Sequence, residues 1–365
     1  MYLNIYEFLY GITHWLMVDI IGRILDWLTL ETLAKWVGSA GVVDFINTVL
    51  VVLIVFVVGL LMSITLIWEE RKLLGRLMDR RGTMTGPIGL FQNFADAIKT
   101  LLKEHIVPKS ADRLIYEITP ILLIGTSGFL MVTIPYSPGF WATNSSLSVI
   151  LTFAIFSIAP FAVLIGGWAS NNKYTLIGGM RAAAQIIAYE IPLLLSVVSV
   201  LILAGSFNFL DVVDAQTNSI WYIVPLIIGA FVFLISMIAE LERVPFDLPE
   251  AEAELVEGWQ TEYGDMRFGL IMCSEYMRGF VGSCLFTLLF LGGWSGPFNN
   301  IIPDEIWFII KVLIVFAVMI WFRGALARVR TDQILSIGWK RLLPLAVVNL
   351  FIAILLKTLE WEGLF

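Results

Sequence analysis

The sequence reads as an all-α polytopic membrane protein, with about eight transmembrane helices plus amphipathic interfacial helices. Three observations carry that reading. Hydrophobic residues make up 59% of the 365 positions and charged residues only 15%, where soluble domains carry about 25% charged residues. Eight apolar runs are long enough to cross a bilayer, which takes about 20 residues of helix. Lys and Arg alternate between the connections joining those runs. A helix is the required form, since lipid offers backbone groups no hydrogen-bond partner, and a β-barrel would show ~10-residue alternating segments instead. The same composition, with a net charge of −7 and two cysteines, Cys273 and Cys284, excludes a disordered chain, a nucleic-acid binder and a disulfide scaffold. Both cysteines fall in one apolar run, as small buried thiols do.

Residues 1–43 form an N-terminal outer or interfacial segment. Asp19, Arg23 and Asp26 recur at helical spacing among Ile20, Ile21, Ile24, Leu25 and Leu28. That pattern suits a helix in the membrane interface or a further shallow segment. The membrane domain occupies 44–365, with spans at 44–68, 114–135, 147–169, 183–204, 220–240, 268–294, 306–323 and 342–359. Connections 69–113, 170–182, 241–267 and 324–341, with their borders, hold 18 Lys and Arg, while 136–146, 205–219 and 295–305 hold none. Basic residues mark the cytoplasmic side, so this alternation places both termini outside and the four basic connections inside. A prokaryotic plasma membrane fits it.

The first inner connection begins Glu69-Glu70-Arg71-Lys72, continues through Arg76, and reaches Gly86-Pro87. From Phe91 onward, Phe94, Ala95, Ile98, Leu101 and Leu102 fall on one helical face, with Asp96, Lys99, Lys103 and Glu104 on the other. This is an amphipathic helix at the inner surface. Basic residues there can simply set topology. Set beside Glu69 and Glu70, however, Arg71, Lys72 and Arg76 can also form a network that holds a polar head group while the apolar face guides a lipophilic tail.

The second long connection holds the acidic surplus. Residues 240–265 carry nine acids against the single Arg243. Asp247 and Glu250 have the spacing of a capping box, and Pro249 suits an early helical position, so a short helix is expected from Glu250 to Glu257. A solvated acidic loop is the plain alternative.

The motifs ERKLLGR (70–76), GPIGLFQNFADAIK (86–99), GWASNNKYTLIGGMRAAAQIIAYE (167–190), RVPFDLPEAEAELVEG (243–258) with TEYG and SEY, and LGGW (291–294) closely resemble the H-subunit family of respiratory complex I. The resemblance runs in order from about residue 44 to the C-terminus. It implies a subunit of a proton-pumping oxidoreductase that carries no redox centre of its own. Such a protein anchors soluble iron–sulfur partners at its inner connections, packs against other membrane subunits, and shapes a cavity for a quinone-like carrier: menaquinone, ubiquinone or methanophenazine. Carrier-binding candidates are Glu70, Arg71, Lys72, Arg76, Arg243, Asp247 and Glu250, on the inner connections 69–113 and 241–267. A membrane anchor or ion-translocating subunit of a related membrane-bound hydrogenase is the alternative within the same superfamily.

The chain departs from the family pattern in three places. Gly82-Thr83-Met84-Thr85 precede Gly86-Pro87 where relatives have a Gly-Pro-Asn. Ser157 stands where many relatives have a glutamate. The region through residue 43 is longer than usual. These departures suit a divergent member, such as the archaeal enzymes that oxidise reduced coenzyme F420 (F420H2) and reduce methanophenazine.

Charges inside spans complete the candidate list, because an ionisable group in hydrocarbon costs about 2.5–3.5 kcal/mol unless paired or hydrated. Glu190, with Pro192 beside it, reads either as a structural hydrogen bond to a neighbouring helix or as a proton carrier. Glu240 and Glu242 close the fifth span, with Arg243 available as a partner. Glu275 and Arg278 in the sixth stand at i, i+3, which allows internal pairing. Glu190, Glu240, Glu242, Glu275 and Arg278 form the candidate proton path. Glu117, Lys311 and Lys357 lie nearer span ends and suit snorkelling.

Other functions fit less well. His14 and His105 are the only histidines, both outside the spans, so haem-ligating pairs within helices and a His/Cys metal site are absent. No Cys cluster and no dinucleotide-binding glycine fingerprint occurs, so electrons come from a partner. No internal repeat of the secondary-transporter kind is evident. A passive anchor has no use for Glu190, Glu275 and Arg278 at membrane depth.

Overall fold

The computed structural model describes residues 5–17, 40–217, 219–247, 249, 252–296 and 302–359. Among these residues it contains helices and turns and no strand. The polar stripe of Asp19, Arg23 and Asp26 lies outside the described residues, as does Glu250.

Helix α1 (Ile5–His14) packs on α2 (Ala40–Leu77). The latter runs nine residues beyond the expected span end, so Glu69 to Arg76 are helical rather than part of a loop. Nothing between Ala40 and Leu77 breaks it: the segment holds no proline, and Gly59 and Gly75 are its only glycines after Gly41. A short 3-10 turn, Pro87–Gly89, leads into the amphipathic α3 (Phe91–Leu101), whose Phe91, Phe94, Ile98 and Leu101 are all exposed on the protein surface. Next come α4 (Arg113–Thr133), then α5 (Ser148–Phe156) and α6 (Ala159–Ala169), one span broken at Ser157. Pro160 lacks the amide hydrogen that would bond the carbonyl four residues back.

Helix α7 (Lys173–Ala204) is capped at both ends. Asn172 Oδ1 accepts from the Tyr174 amide at 3.2 Å, and Gly205, at φ +73°, provides the left-handed stop. Its Gly178 lies against the backbone of the turn Gly258–Gln260. A Cβ there would sit 2.6 Å from the Trp259 nitrogen, so only glycine permits this approach. After α8 (Phe209–Thr217) comes α9 (Ile227–Glu240), then the acidic connection with α10 (Glu252–Leu255), and the long α11 (Asp265–Phe290). The expected Glu250–Glu257 helix is therefore reduced to one described turn. The chain closes with α12 (Asp304–Ala325), α13 (Thr331–Ile337) and α14 (Leu343–Thr358), the last two joined through a π turn.

Six of the described helical stretches are long and apolar enough to cross a membrane: Gly41–Leu77, Arg113–Thr133, Ser148–Ala169, Lys173–Ala204, Asp304–Ala325 and Thr331–Thr358. The other two expected spans differ for physical reasons. Helix α9 has only 14 residues, because Pro225 and the turns before it shorten the run. Helix α11 has the length, at 26 residues, but carries Asp265, Arg267, Glu275 and Arg278. It tolerates them through position. Packed by α2, α3, α4 and α12, it is buried continuously from Ser274 to Phe290.

Of the two lysines expected to snorkel, Lys311 turns inward instead, while Lys357 stays exposed at its helix end. Lys311 Nζ donates to the carbonyls of Leu291, Gly293 and Ser295 at 2.6, 3.0 and 2.5 Å and lies 4.4 Å from the Trp221 ring. It thereby closes the end of α11 and the Leu291–Trp294 motif with a cation at a helix C-terminus. Lys357 Nζ donates to Leu203 O at 3.1 Å and does the same for α7. Lys311→Met strands those carbonyls and should cost about 2 kcal/mol, read as a lower thermal-unfolding midpoint of the purified protein. An unchanged midpoint would show that the ammonium is dispensable.

Candidate carrier cleft and charge axis

Glu70 lies near the end of α2, buried, where a lone carboxylate would be costly. It is clasped from two sides. Arg243, in the turn after α9, reaches its Oε1 and Oε2 at 3.3 and 3.5 Å, and Arg323 of α12 closes on Oε1. The Arg243 guanidinium stacks over the Tyr276 ring of α11 at 4.5 Å. Ile238, Leu241, Phe316, Met319 and Ile320 line a narrow apolar cleft, about 20 Å³, against these three charges. A larger cavity of about 300 Å³ lies between α7, Pro249 and α13, and none of the expected site residues lines it.

The remaining carrier-binding candidates divide. Arg71 pins α3 to α2 through Asp96 Oδ2 at 2.5 Å and Asn93 Oδ1 at 3.3 Å. Gln92 donates to the same Asp96. Burial pushes the Asp96 carboxyl up, but the Arg71 and Gln92 hydrogen bonds outweigh it and hold it below its usual range. Asp247 bonds Arg328 at 2.8 Å; burial raises its carboxyl, and Arg328 only partly offsets this. Lys72 and Arg76 form no ion pair among the described residues, and Arg76 is exposed. They do not join the Glu70 cluster, because α2 continues through both and turns them away from its buried side.

The proton-path candidates form a second cluster. Glu240, Glu242, Glu275 and Arg278 are all buried. Arg278 lies within electrostatic reach of the three carboxylates, yet it makes no ion pair within 4 Å with Glu275. The expected i, i+3 pairing is replaced by Gln260, whose Nε2 donates to Glu275 Oε1 at 2.7 Å. Arg243, expected to partner Glu240 or Glu242, faces Glu70 instead. Glu242, in the turn beyond α9, takes a positive φ of 52°, which aims its carboxyl inward, towards the Trp259 side chain. Glu240 Oε2, Glu242 Oε1 and Arg278 Nε have no hydrogen-bond partner among the described residues. Glu190 is only half-buried; it accepts from Ser157 Oγ and faces Glu240 electrostatically.

Several side chains at these two clusters are not singled out by sequence reasoning. Arg323 reads in the sequence only as one more inner basic residue, and Tyr276, Gln260 and Trp259 lie inside or beside the motifs without an assigned role. Their signal is adjacency to acids: Tyr276 follows Glu275, and Trp259 and Gln260 follow Glu257-Gly258. Pairing across 173 and 253 residues, as Glu70 has with Arg243 and Arg323, leaves no mark in a single sequence.

Desolvation pushes the Glu242 carboxyl up to about 7, with Arg278 opposing it. An unfolded glutamate titrates near 4.3, so any stability drawn from holding this group protonated is complete at low pH and is lost as pH rises through about 7. Glu242→Gln should therefore flatten the fall in thermal stability between about pH 5 and pH 8. An equally steep fall in the variant would remove Glu242 as its source.

Comparison with known proteins agrees with the motifs. The family model described as NADH dehydrogenase matches residues 49–354. The H subunits of NADH-quinone oxidoreductase from Bacillus thuringiensis (strain Al Hakam), Bacillus cereus (strain AH187) and Bacillus anthracis (strain A0248) are each 45% identical over 296 residues, covering 80% of this chain and 89% of theirs. With its motifs in order and its charged residues gathered along α11, the chain belongs to the NADH dehydrogenase family, as its resemblance to the complex I membrane subunit implied.

Proposed function

We propose that this chain is the membrane subunit of an oxidoreductase complex in which reduction of a quinone drives proton translocation. The observation that carries this reading is the position of Arg243. It holds Glu70 in the apolar cleft and also lies within electrostatic reach of Glu275 of α11. One guanidinium thus faces both the cleft and the buried carboxylates. The relatives are named for a quinone, so a quinone is the carrier proposed here.

The exposed Phe91, Phe94, Ile98 and Leu101 of α3 would guide an isoprenoid tail, and Arg71, next to Glu70, ties that helix to α2. Glu70, Arg243, Arg323 and Tyr276 would meet the head group. Reducing a quinone takes electrons from a redox partner, and protons must follow. A negative charge forming in the cleft competes with Glu70 and Glu275 for Arg243, and weaker pairing favours protonation of the carboxylates left behind. Glu275, Glu242, Glu240 and Glu190 then form the route along which the proton is passed. The acidic connection 241–267 and the basic connection 69–113 would lie on the inner side, where soluble iron–sulfur partners dock, in a plasma membrane with both termini outside. Glu250, on the acidic connection, would count among the carrier-binding residues.

Arg243→Ala in the assembled complex should cut quinone-dependent turnover roughly tenfold or more while electron transfer to an artificial acceptor continues. Glu240→Gln should lower proton pumping to a similar extent with assembly intact. Wild-type pumping in Glu240→Gln would sink the proton route. Loss of both electron-transfer activities in Arg243→Ala would make assembly the role of Arg243.

A further inference from the structure

The apolar surface of the bundle carries one ionisable group of the proposed route in an unusual setting. Glu190 is half-buried on α7, flanked by the exposed Ile187 and Ile191. Its hydrogen-bond partner among the described residues is Ser157. A carboxylate so placed at membrane depth needs either a partner for each protonation state or a local supply of water.

The backbone around the pair is irregular on both sides. The α5–α6 span breaks at Ser157, and Pro160 and Pro192 each remove an amide hydrogen from the helix ladder. The Phe156 and Ala188 carbonyls thus lose their usual partners. Irregular backbone at this depth is tolerated where it is buried in protein or lines a hydrated cavity.

Ser157 Oγ lies 3.1 Å from the Phe153 carbonyl as well as against Glu190 Oε1. A hydroxyl has one hydrogen to donate and two lone pairs to accept with. When Glu190 is ionised, the hydroxyl donates to the carboxylate. When Glu190 carries the proton, the hydroxyl turns to the Phe153 carbonyl and accepts from the acid. Both states are satisfied by rotation about one bond. A second carboxylate at this position would instead repel the ionised state, and an alanine would serve neither.

We infer that Ser157 is a positioning residue for Glu190, a two-way hydroxyl that holds the carboxyl in one orientation whether or not it carries a proton. The inference rests on the reading of Glu190 as a proton carrier, and it makes the residue beside Glu190 a determinant of how readily protons reach or leave the Glu240 end of the axis.

The test uses the assembled complex in vesicles, with proton pumping and infrared difference spectra as separate readouts. The carboxyl band that disappears in Glu190→Gln identifies Glu190. Ser157→Ala should slow pumping about fivefold, the effect of losing one hydrogen bond, and move that band to higher wavenumber because the carboxyl has lost its partner. Ser157→Thr, which keeps the hydroxyl, should restore both. If Ser157→Ala fails to assemble, Ser157→Cys keeps the volume with a poor donor and carries the same expectation. Wild-type pumping and an unmoved band in the Ala or Cys variant would overturn the inference while leaving Glu190 in the route. Wild-type pumping in Glu190→Gln would instead remove the route on which the inference stands.

Discussion

A carboxylate buried at the end of a membrane helix has to be neutralised, and Glu70 is neutralised by two arginines from distant parts of the chain. Arg243 and Arg323 converge on it, so α2, the turn after α9 and α12 are bound at one point, and Tyr276 adds α11 through its stacked ring. Removing either arginine alters the pairing of a charge that is 4% exposed, and breaking buried pairs costs about 3–5 kcal/mol. The cleft exists because these four elements meet there.

Helix α11 carries the consequence along its length. At its start, Arg267 lies over the Tyr116 ring at 4.9 Å and Asp265 pairs with His105 at 3.1 Å. Further in stand Glu275 and Arg278, followed by an apolar stretch that Lys311 closes. Neighbouring helices cover this element on several sides, and that cover makes its charges tolerable. Apolar packing alone would favour a more hydrophobic helix, so these charges persist only because their neighbours cover and partner them. Carboxylate oxygens of Glu240 and Glu242 without a hydrogen-bond partner among the described residues lie beside this helix.

The class of fold, the helical spans with strong apolar runs, and the two charge-bearing connections are all legible in the sequence. Local rules decide them: about 20 apolar residues span the bilayer, and basic residues prefer one side. The amphipathic α3 is equally plain, because the 3.6-residue period that places Phe91, Phe94, Ile98 and Leu101 together is a property of the segment alone. Element ends are less legible. No residue between Trp68 and Leu77 stops a helix, so α2 carries Glu70 and Arg71 on a rigid rod where polarity suggests a loop.

The sequence by itself determined which side chains are available: Glu70, Arg243, Glu240, Glu242, Glu275, Arg278 and Glu190, each costly in hydrocarbon and so worth naming. Tertiary structure alone decided who meets whom. It gave Glu70 to Arg243 and Arg323, gave Glu275 to Gln260 rather than to its helical neighbour Arg278, left Lys72 and Arg76 outside the cluster, and set Ser157 against Glu190. The reason is one of range. Helical period and hydropathy act over a few residues, whereas the pairing of a buried charge is fixed by whichever partner the packed helices bring within a few ångströms.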